Sequence, residues 1–200
     1  MIDKLLLATR NRDKIKEIVP FLDGIVKNII SLADIDDPLH VEETGKTFEK
    51  NAILKAESLF KQTGNITLAD DSGLEVDALG GQPGVLSARF AGESAADAAN
   101  NEKLLSLMHH VPVGERRGRF RCVMALAMPD GTRTFEGVVE GEIALSPAGT
   151  CGFGYDPLFI PEGYDKTFAE LGNDIKSRIS HRTRALEKTI EFLKHLPDLF

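Results

Sequence analysis

The chain has 200 residues, 42% hydrophobic and 28% charged, with a formal net charge of −7. This suits one soluble globular domain, or two closely packed lobes, with a sizeable core. The acidic balance excludes a global attraction for nucleic-acid backbone, which rewards a basic face, so a phosphate compound must be met by a local Lys/Arg cluster. No apolar run approaches the ~20 residues that a membrane helix needs. Asp3 stands where a signal peptide carries only bases. The two cysteines, Cys122 and Cys151, lie far apart, which fits a reducing cytoplasm rather than a disulfide scaffold. The expectation is a cytoplasmic protein with neither nucleic-acid nor membrane partners.

Lys4–Thr9 reads as a buried strand, and Asn11–Leu22 as a helix with apolar residues at 15, 18, 19 and 22, ended or bent by Pro20. A strand-to-helix junction leaves free backbone N–H groups that attract anions. Thr9, Asn11 and Lys14 add a hydroxyl, an amide and an ammonium there, although a capped helix with a solvated lysine explains the same residues. Gly24–Leu32 holds a second strand. Asp34–Glu43, acidic and containing Pro38, reads as a loop ending in Glu42-Glu43-Thr44-Gly45. Gly45-Lys46-Thr47 resembles the tail of a P-loop, but that motif needs glycine where His40 stands, so it is rejected.

Thr47–Thr63 is the best helix, stopped by Gly64. Lys55 falls on its apolar stripe between Phe48 and Leu59, with Asn51 at the stripe edge; such a lysine either snorkels to the rim or has a buried anionic partner. An apolar strand from Ile66 then runs into Asp70-Asp71-Ser72-Gly73 at its end. Buried acids there demand cations, because an unpaired buried charge costs several kcal/mol. Leu74–Ala78 reads as a separate short strand, followed by a turn cluster at 80–84. Ser94–His109 reads as a helix with Ser94 and Asp97 in capping-box register. His109 and His110 at its end lack metal-site spacing and read as structural.

Arg117–Met128 is a long strand, and Pro129-Asp130-Gly131 signals a hairpin returning through Thr132–Glu140 and Gly141–Leu145. Arg116, Arg117, Arg119 and Arg121 read as a solvated sheet face. Gly149–Pro157 sets three glycines around two aromatics and an acid. Glycine admits close backbone approach, and an aromatic on such a loop suits stacking on a flat ring. Ile175–Ser180 leads into a last helix, Ser180–Leu196, with Ser180 as N-cap. Arg182 points into its apolar arc at the first turn, with His181 beside it and Lys176 upstream. A cation at a helix N-terminus opposes the dipole, a local conflict that marks functional sites.

Carboxylates plus several cations suit a polyphosphate with Mg²⁺, which binds through one or two carboxylates and phosphate oxygens. On the residues alone the reading is a nucleotide phosphate hydrolase. A glutamate-rich Nudix helix is absent from the sequence. A non-catalytic purine nucleotide sensor with the same cleft remains the alternative.

The ordered set Ala8-Thr9-Arg10-Asn11-Arg12-Asp13-Lys14, Glu42-Glu43-Thr44-Gly45, Thr47-Phe48-Glu49-Lys50-Asn51-Ala52, Ala69-Asp70-Asp71-Ser72-Gly73-Leu74, Pro83-Gly84, Ser87-Ala88-Arg89, Gly152-Phe153-Gly154-Tyr155-Asp156-Pro157 and Lys176-Ser177-Arg178-Ile179-Ser180-His181-Arg182 resembles the inosine/xanthosine triphosphate pyrophosphatase family. The resemblance implies an α/β fold whose long twisted mixed β-sheet is flanked by helices. It implies a single domain of two lobes with a nucleotide cleft between them. It implies a cytoplasmic homodimer that hydrolyses ITP, dITP and XTP at the α–β bond with Mg²⁺. Carried over by position, Thr9, Arg10, Asn11, Arg12, Asp13 and Lys14 hold phosphate, and Glu42 and Asp71 bind the metal, with Glu43 the alternative to Glu42. Asp71 is also the base for the attacking water. Lys55 faces the phosphates, and Ser72 contacts substrate. Phe153, Gly154, Tyr155, Asp156 and Lys176 line the nucleotide site, and His181 and Arg182 read the base. Arg10 and Cys151 stand where the family more often has glycine.

Overall fold

The computed structural model describes residues 2–35 and 41–196. The strands are β1 (Ile2–Leu7), β2 (Val26–Ser31), β3 (Thr67–Val76), β4 (Arg117–Met128), β5 (Gly131–Ile143) and β6 (Phe159–Pro161). The α-helices are α1 (Arg12–Ile18), α2 (Phe48–Thr63), α3 (Asp97–Leu107), α4 (Phe168–Ile179) and α5 (His181–His195). The strands form one six-stranded sheet in the order β2-β1-β3-β4-β5-β6. β1 pairs in parallel with both β2 and β3, and β5 pairs antiparallel with β6, so the sheet is mixed. This is the α/β architecture with a mixed sheet that the sequence implies. Of the expected loop 34–43, residues 36–40, including Pro38 and His40, lie outside the described residues.

The chain divides into two compact units, one drawn from Met1–Asp71, Cys122–Gly137 and Arg182–Phe200, the other from Ser72–Arg121 and Val138–His181. The core of the first contains Leu5, Leu7, Leu22, Leu68, Met124, Leu126, Leu186 and Leu193. The core of the second contains Leu74, Val76, Leu104, Met108, Phe120, Phe159 and Phe168. Within it Phe159 and Phe168 stack with centroids 5.5 Å apart.

Local signals set several boundaries. Pro20 falls in a 3₁₀ turn, Val19–Leu22, that follows α1, because its ring cannot continue the α-helical ladder. Thr47 caps α2 by accepting from the Lys50 N–H, and Gly64 ends it at φ 68°, where a side chain would be strained. β4 alternates in burial through Arg121 and is then continuously buried from Cys122 to Met128, as a strand covered on both faces must be.

The structure also differs from the sequence expectations. β3 does not stop at the acids. It runs unbroken through Asp70, Asp71, Ser72 and Gly73 to Val76, absorbing the separate strand expected at Leu74–Ala78. Gly73 makes this possible, because a Cβ there would collide with the Ser87 hydroxyl and the Gly84 carbonyl. Likewise β5 is one strand rather than two. α3 begins at Asp97 with no side-chain cap, so the Ser94 capping box does not form; the Asp97 carboxylate accepts instead from the Gly154 N–H at 2.6 Å. α4, held by a Thr167–Glu170 capping box, is a helix where the sequence reading has none before Ser180. Ser180 closes α4. Arg116 is not on a solvated face. Its guanidinium is buried and donates to the carbonyls of Met108, Val111, Ile143 and Ala144. Arg117 is exposed, whereas Arg119 is paired with Asp77 and Glu140, and Arg121 with Glu75.

Candidate active site

In the first unit, three elements bring cations to the acids of β3. α1 supplies Lys14, whose ammonium meets Asp70 Oδ2 at 2.8 Å. α5 supplies Arg182, 3.4 Å from the same oxygen and also paired with Glu17. α2 supplies Lys55, which donates to Glu43 at 2.9 Å and to the Asp70 carbonyl at 2.7 Å, and lies 3.5 Å from Asp71 Oδ1. The snorkelling alternative for Lys55 is therefore excluded: its side chain is 12% exposed and faces three acceptors. Arg182 is almost wholly buried, as its place on the apolar arc of α5 requires.

The two adjacent aspartates are driven in opposite directions. Burial would raise Asp70, but Lys14, Arg182 and Lys55 together overcome it and hold the carboxyl well below the usual carboxylate range. For Asp71 burial prevails. Lys55 pulls its pKa down, Glu43 pushes it up, and the net displacement is upward. Lys55 is itself raised: burial disfavours its charge, and Asp71, Asp70 and Glu43 more than restore it. One aspartate is thus a fixed anion that holds cations, and the other is a buried carboxylate with enhanced affinity for a proton. That division of labour suits an acid–base pair of neighbours with separate roles.

The oxygen donors fit a hard cation. Mg²⁺ needs only one or two carboxylates when phosphate oxygens complete its shell. Among the described residues, no group of three or more His, Cys, Asp or Glu side chains is placed to hold a metal by itself. Asp71 has the right chemistry, since the neighbouring Glu43 charge raises the cost of its own. Of the two loop acids, Glu43 is bound to Lys55, and Glu42 is exposed.

At the β1–α1 junction, the Asn11 side chain accepts from the Asp13 and Lys14 N–H groups at 2.9 and 3.2 Å, and the Asn11 N–H donates to Thr9 Oγ1 at 3.1 Å. Asp13 pairs with Lys16. Arg10 and Arg12 are exposed.

The second unit carries the remaining candidates. Lys176, buried on α4, donates to Asp156 Oδ2 at 2.5 Å and sits 4.3 Å over the Phe153 ring. The same Asp156 oxygen accepts from the Phe153 N–H at 2.9 Å. Gly154 is held by Asp97 through its N–H and by Asn101, which donates to its carbonyl at 3.0 Å. A groove of about 790 Å³ flanks this loop, lined in part by Phe153, Gly154, Asn101 and Leu105. Tyr155 turns the other way, buried, with its hydroxyl donating to the Ser87 carbonyl at 2.9 Å. Phe153 is therefore the half-exposed aromatic of the loop, and Tyr155 is core. His181 is buried and stacks on Phe120 at 4.8 Å and 11°. Ser72 is half-buried on β3.

Sequence reasoning does not assign Glu17 or Asn51 a role at the acids, and it offers Glu43 only as the alternative metal ligand to Glu42, not as the partner of Lys55. Glu17 gives no signal because helix carboxylates are usually solvated. Asn51 was visible only as a polar residue at a stripe edge, yet it is fully buried and donates to Asp71 Oδ2 at 3.0 Å.

Comparison with known proteins finds relatives along nearly the whole chain. The profile of the Ham1 family matches residues 5–192. The chain is 53% identical over 184 residues to the dITP/XTP pyrophosphatase of Geobacter sulfurreducens, covering 92% of each. It is 48% identical over 195 residues to that of Bacillus subtilis, covering 97% of this chain and 98% of the relative. It is also similar to the solved Ham1 protein of Staphylococcus aureus, with a TM-score of 0.88, 42% identity, and coverage of 96% of this chain and 98% of that one.

Proposed function

Since the chain belongs to the Ham1 family, we propose that it is a nucleoside triphosphate pyrophosphatase that clears non-standard purine nucleotides, ITP, dITP and XTP, from the nucleotide pool. It splits the α–β bond and yields the monophosphate and pyrophosphate. The observation that carries this reading is the meeting of Asp70 and Asp71 with Lys14, Lys55 and Arg182. A structural domain has no need of a proton-hungry carboxylate beside a fixed one.

Asp71 takes a proton from the attacking water. As the water oxygen bonds to the α-phosphorus, the bond from that phosphorus to the bridging oxygen breaks, and pyrophosphate leaves. The upward-shifted Asp71 is the better proton acceptor of the two aspartates, because a base works best with its pKa near the operating pH. Lys14 and Lys55, with the junction residues Thr9–Asp13, neutralise and orient the phosphates. Lys55 is held against Glu43 and the Asp70 carbonyl, so its charge is already in place. Mg²⁺, held by Asp71 and by Glu42, would neutralise phosphate charge and acidify the water.

Phe153 offers its face to the purine, with Gly154, Asp156 and Lys176 around it and Ser72 also on the substrate. Hypoxanthine and xanthine carry an acceptor oxygen where adenine carries a donor amine. Donors from His181 and Arg182 match the oxygen and leave adenine with unpaired groups. Arg182 holds Glu17 through Nη1 and Asp70 through Nη2. Among the described residues no helix is long and apolar enough to cross a membrane. A cytoplasmic site and a homodimeric state complete the proposal, and light scattering tests the latter.

The test is pyrophosphate release with Mg²⁺ from ITP, XTP, dITP, GTP and ATP. The expected result is fast turnover of the first three and slow turnover of ATP. Equal rates on ATP and ITP refute base selection, and tight binding of ITP without turnover establishes the sensor instead.

A further inference from the structure

We infer that Asn51 is a positioning residue that fixes both the Asp71 carboxylate and the acidic loop from a single amide; the inference rests on the reading of Asp71 as the base. Asn51 lies in the second turn of α2 and is fully buried. Its Nδ2 donates to Asp71 Oδ2 at 3.0 Å, and its Oδ1 accepts from the Gly45 N–H at 2.7 Å. One side chain thus ties three segments together: the loop that carries Glu42 and Glu43, helix α2, and strand β3.

The chemistry of the site calls for an amide. The position needs a donor toward Asp71 and an acceptor toward Gly45 at once, and an amide offers both on one planar group without titrating. Aspartate would set a second carboxylate against Asp71. A leucine of similar shape would serve neither partner and leave the part-buried Gly45 N–H without its acceptor. Gly45 is shaped to this contact: a Cβ there would stand 2.5 Å from Asn51 Oδ1 and 2.9 Å from the Lys50 Cβ. The loop approaches the amide as closely as backbone can.

The consequence for the reaction is directional. With Asn51 on Oδ2 and Lys55 toward Oδ1, rotation of the Asp71 carboxylate about its last bond is restrained from two sides. Through Gly45 the amide also fixes the chain two residues beyond Glu43, which reaches Lys55 at 2.9 Å. Partners of this kind typically change activity or metal affinity by about 10–100-fold when removed.

The test uses Asn51→Leu and Gly45→Ala in the full chain. Asn51→Leu removes both hydrogen bonds; Gly45→Ala leaves Asn51 in place and pushes on its amide from the half-buried loop, so it reports even where the first variant fails to fold. The expected result for folded protein is a loss of kcat on ITP of about 10–100-fold with KM changed less than about threefold, and a similar weakening of Mn²⁺ binding measured by electron paramagnetic resonance without nucleotide. In the Asp71→Asn background, Asn51→Leu should cause no further loss of kcat, because the two act through one group. Variants that lose thermal stability but keep wild-type kcat per folded molecule and wild-type Mn²⁺ binding overturn the assignment. A wild-type chain that releases no pyrophosphate overturns the hydrolase reading, and this inference with it.

Discussion

Asp71→Asn should make the protein inactive and more stable. The substitution keeps the size of the side chain and an acceptor for Asn51 Nδ2, now 3.0 Å away. It removes a charge that burial and Glu43 oppose more strongly than Lys55 and Lys14 support, which is why the carboxyl lies above its ordinary range. A group with a folded pKa above its unfolded value binds its proton more tightly when folded. Its ionised form therefore costs stability at neutral pH, and that cost fades as the pH falls through the folded pKa and vanishes below the unfolded one. No ammonium is stranded by the change, because Lys55 keeps Glu43 at 2.9 Å and the Asp70 carbonyl at 2.7 Å. The gain should be on the order of 0.5–2 kcal/mol, the range for relieving an active-site compromise. For a chain of this size that corresponds to about 2–4 °C in Tm per kcal/mol. Turnover should fall by about 10²–10⁴ with the loss of the base. The assay is thermal unfolding of both proteins in EDTA at neutral pH and again at about pH 4, beside pyrophosphate release. A variant that melts below wild type at neutral pH, or a gain that grows on acidification, refutes the reasoning.

Asp70→Asn should do the reverse, destabilising the fold by about 3 kcal/mol, the lower end for breaking a buried pair, since Lys14 loses its partner while Arg182 retains Glu17. Asp70 is depressed in the folded state, so its stabilisation is fully present above the ordinary carboxylate range and is lost progressively as pH falls below that range toward the depressed folded value; urea midpoints of variant and wild type should converge on strong acidification. Tyr155→Phe strands the Ser87 carbonyl and should cost about 1–3 kcal/mol with KM for ITP unchanged; a tenfold rise in KM would place the hydroxyl on the substrate. Titration with a thiol reagent should find Cys151 reactive in the native protein. Cys122, buried and pushed up to about 12, should react only after unfolding.

The extent to which this molecule is legible from its sequence follows the range of the interactions involved. α2 was readable because its start, stripe and stop are local: a threonine cap, apolar spacing and a left-handed glycine. The inward cations Lys55 and Arg182 were readable as conflicts with their own helices, and the structure brings both to Asp70. What escaped depends on residues distant in the chain. β3 looks finished at Asp70-Asp71 because acids disfavour a strand interior; the cations from α1, α2 and α5 pair those acids, and Gly73 gives the strand room to continue. Asp97 looks like a cap until Gly154, 57 positions later, takes its carboxylate. Arg116 looks like one of four surface arginines until the carbonyls it serves are in place. The two loop aromatics were equivalent on paper, and the Ser87 carbonyl separates Tyr155 from Phe153.

The interior guanidinium of Arg116 has a consequence of its own. All four of its hydrogen bonds run to main-chain oxygens, one each from Met108, Val111, Ile143 and Ala144. None of these acceptors titrates. The knot that fastens the exit of α3 to the end of β5 is therefore blind to acidity, whereas the charged cluster around Asp70 senses it. A lysine could not tie it, having a single nitrogen where four separate oxygens must be reached.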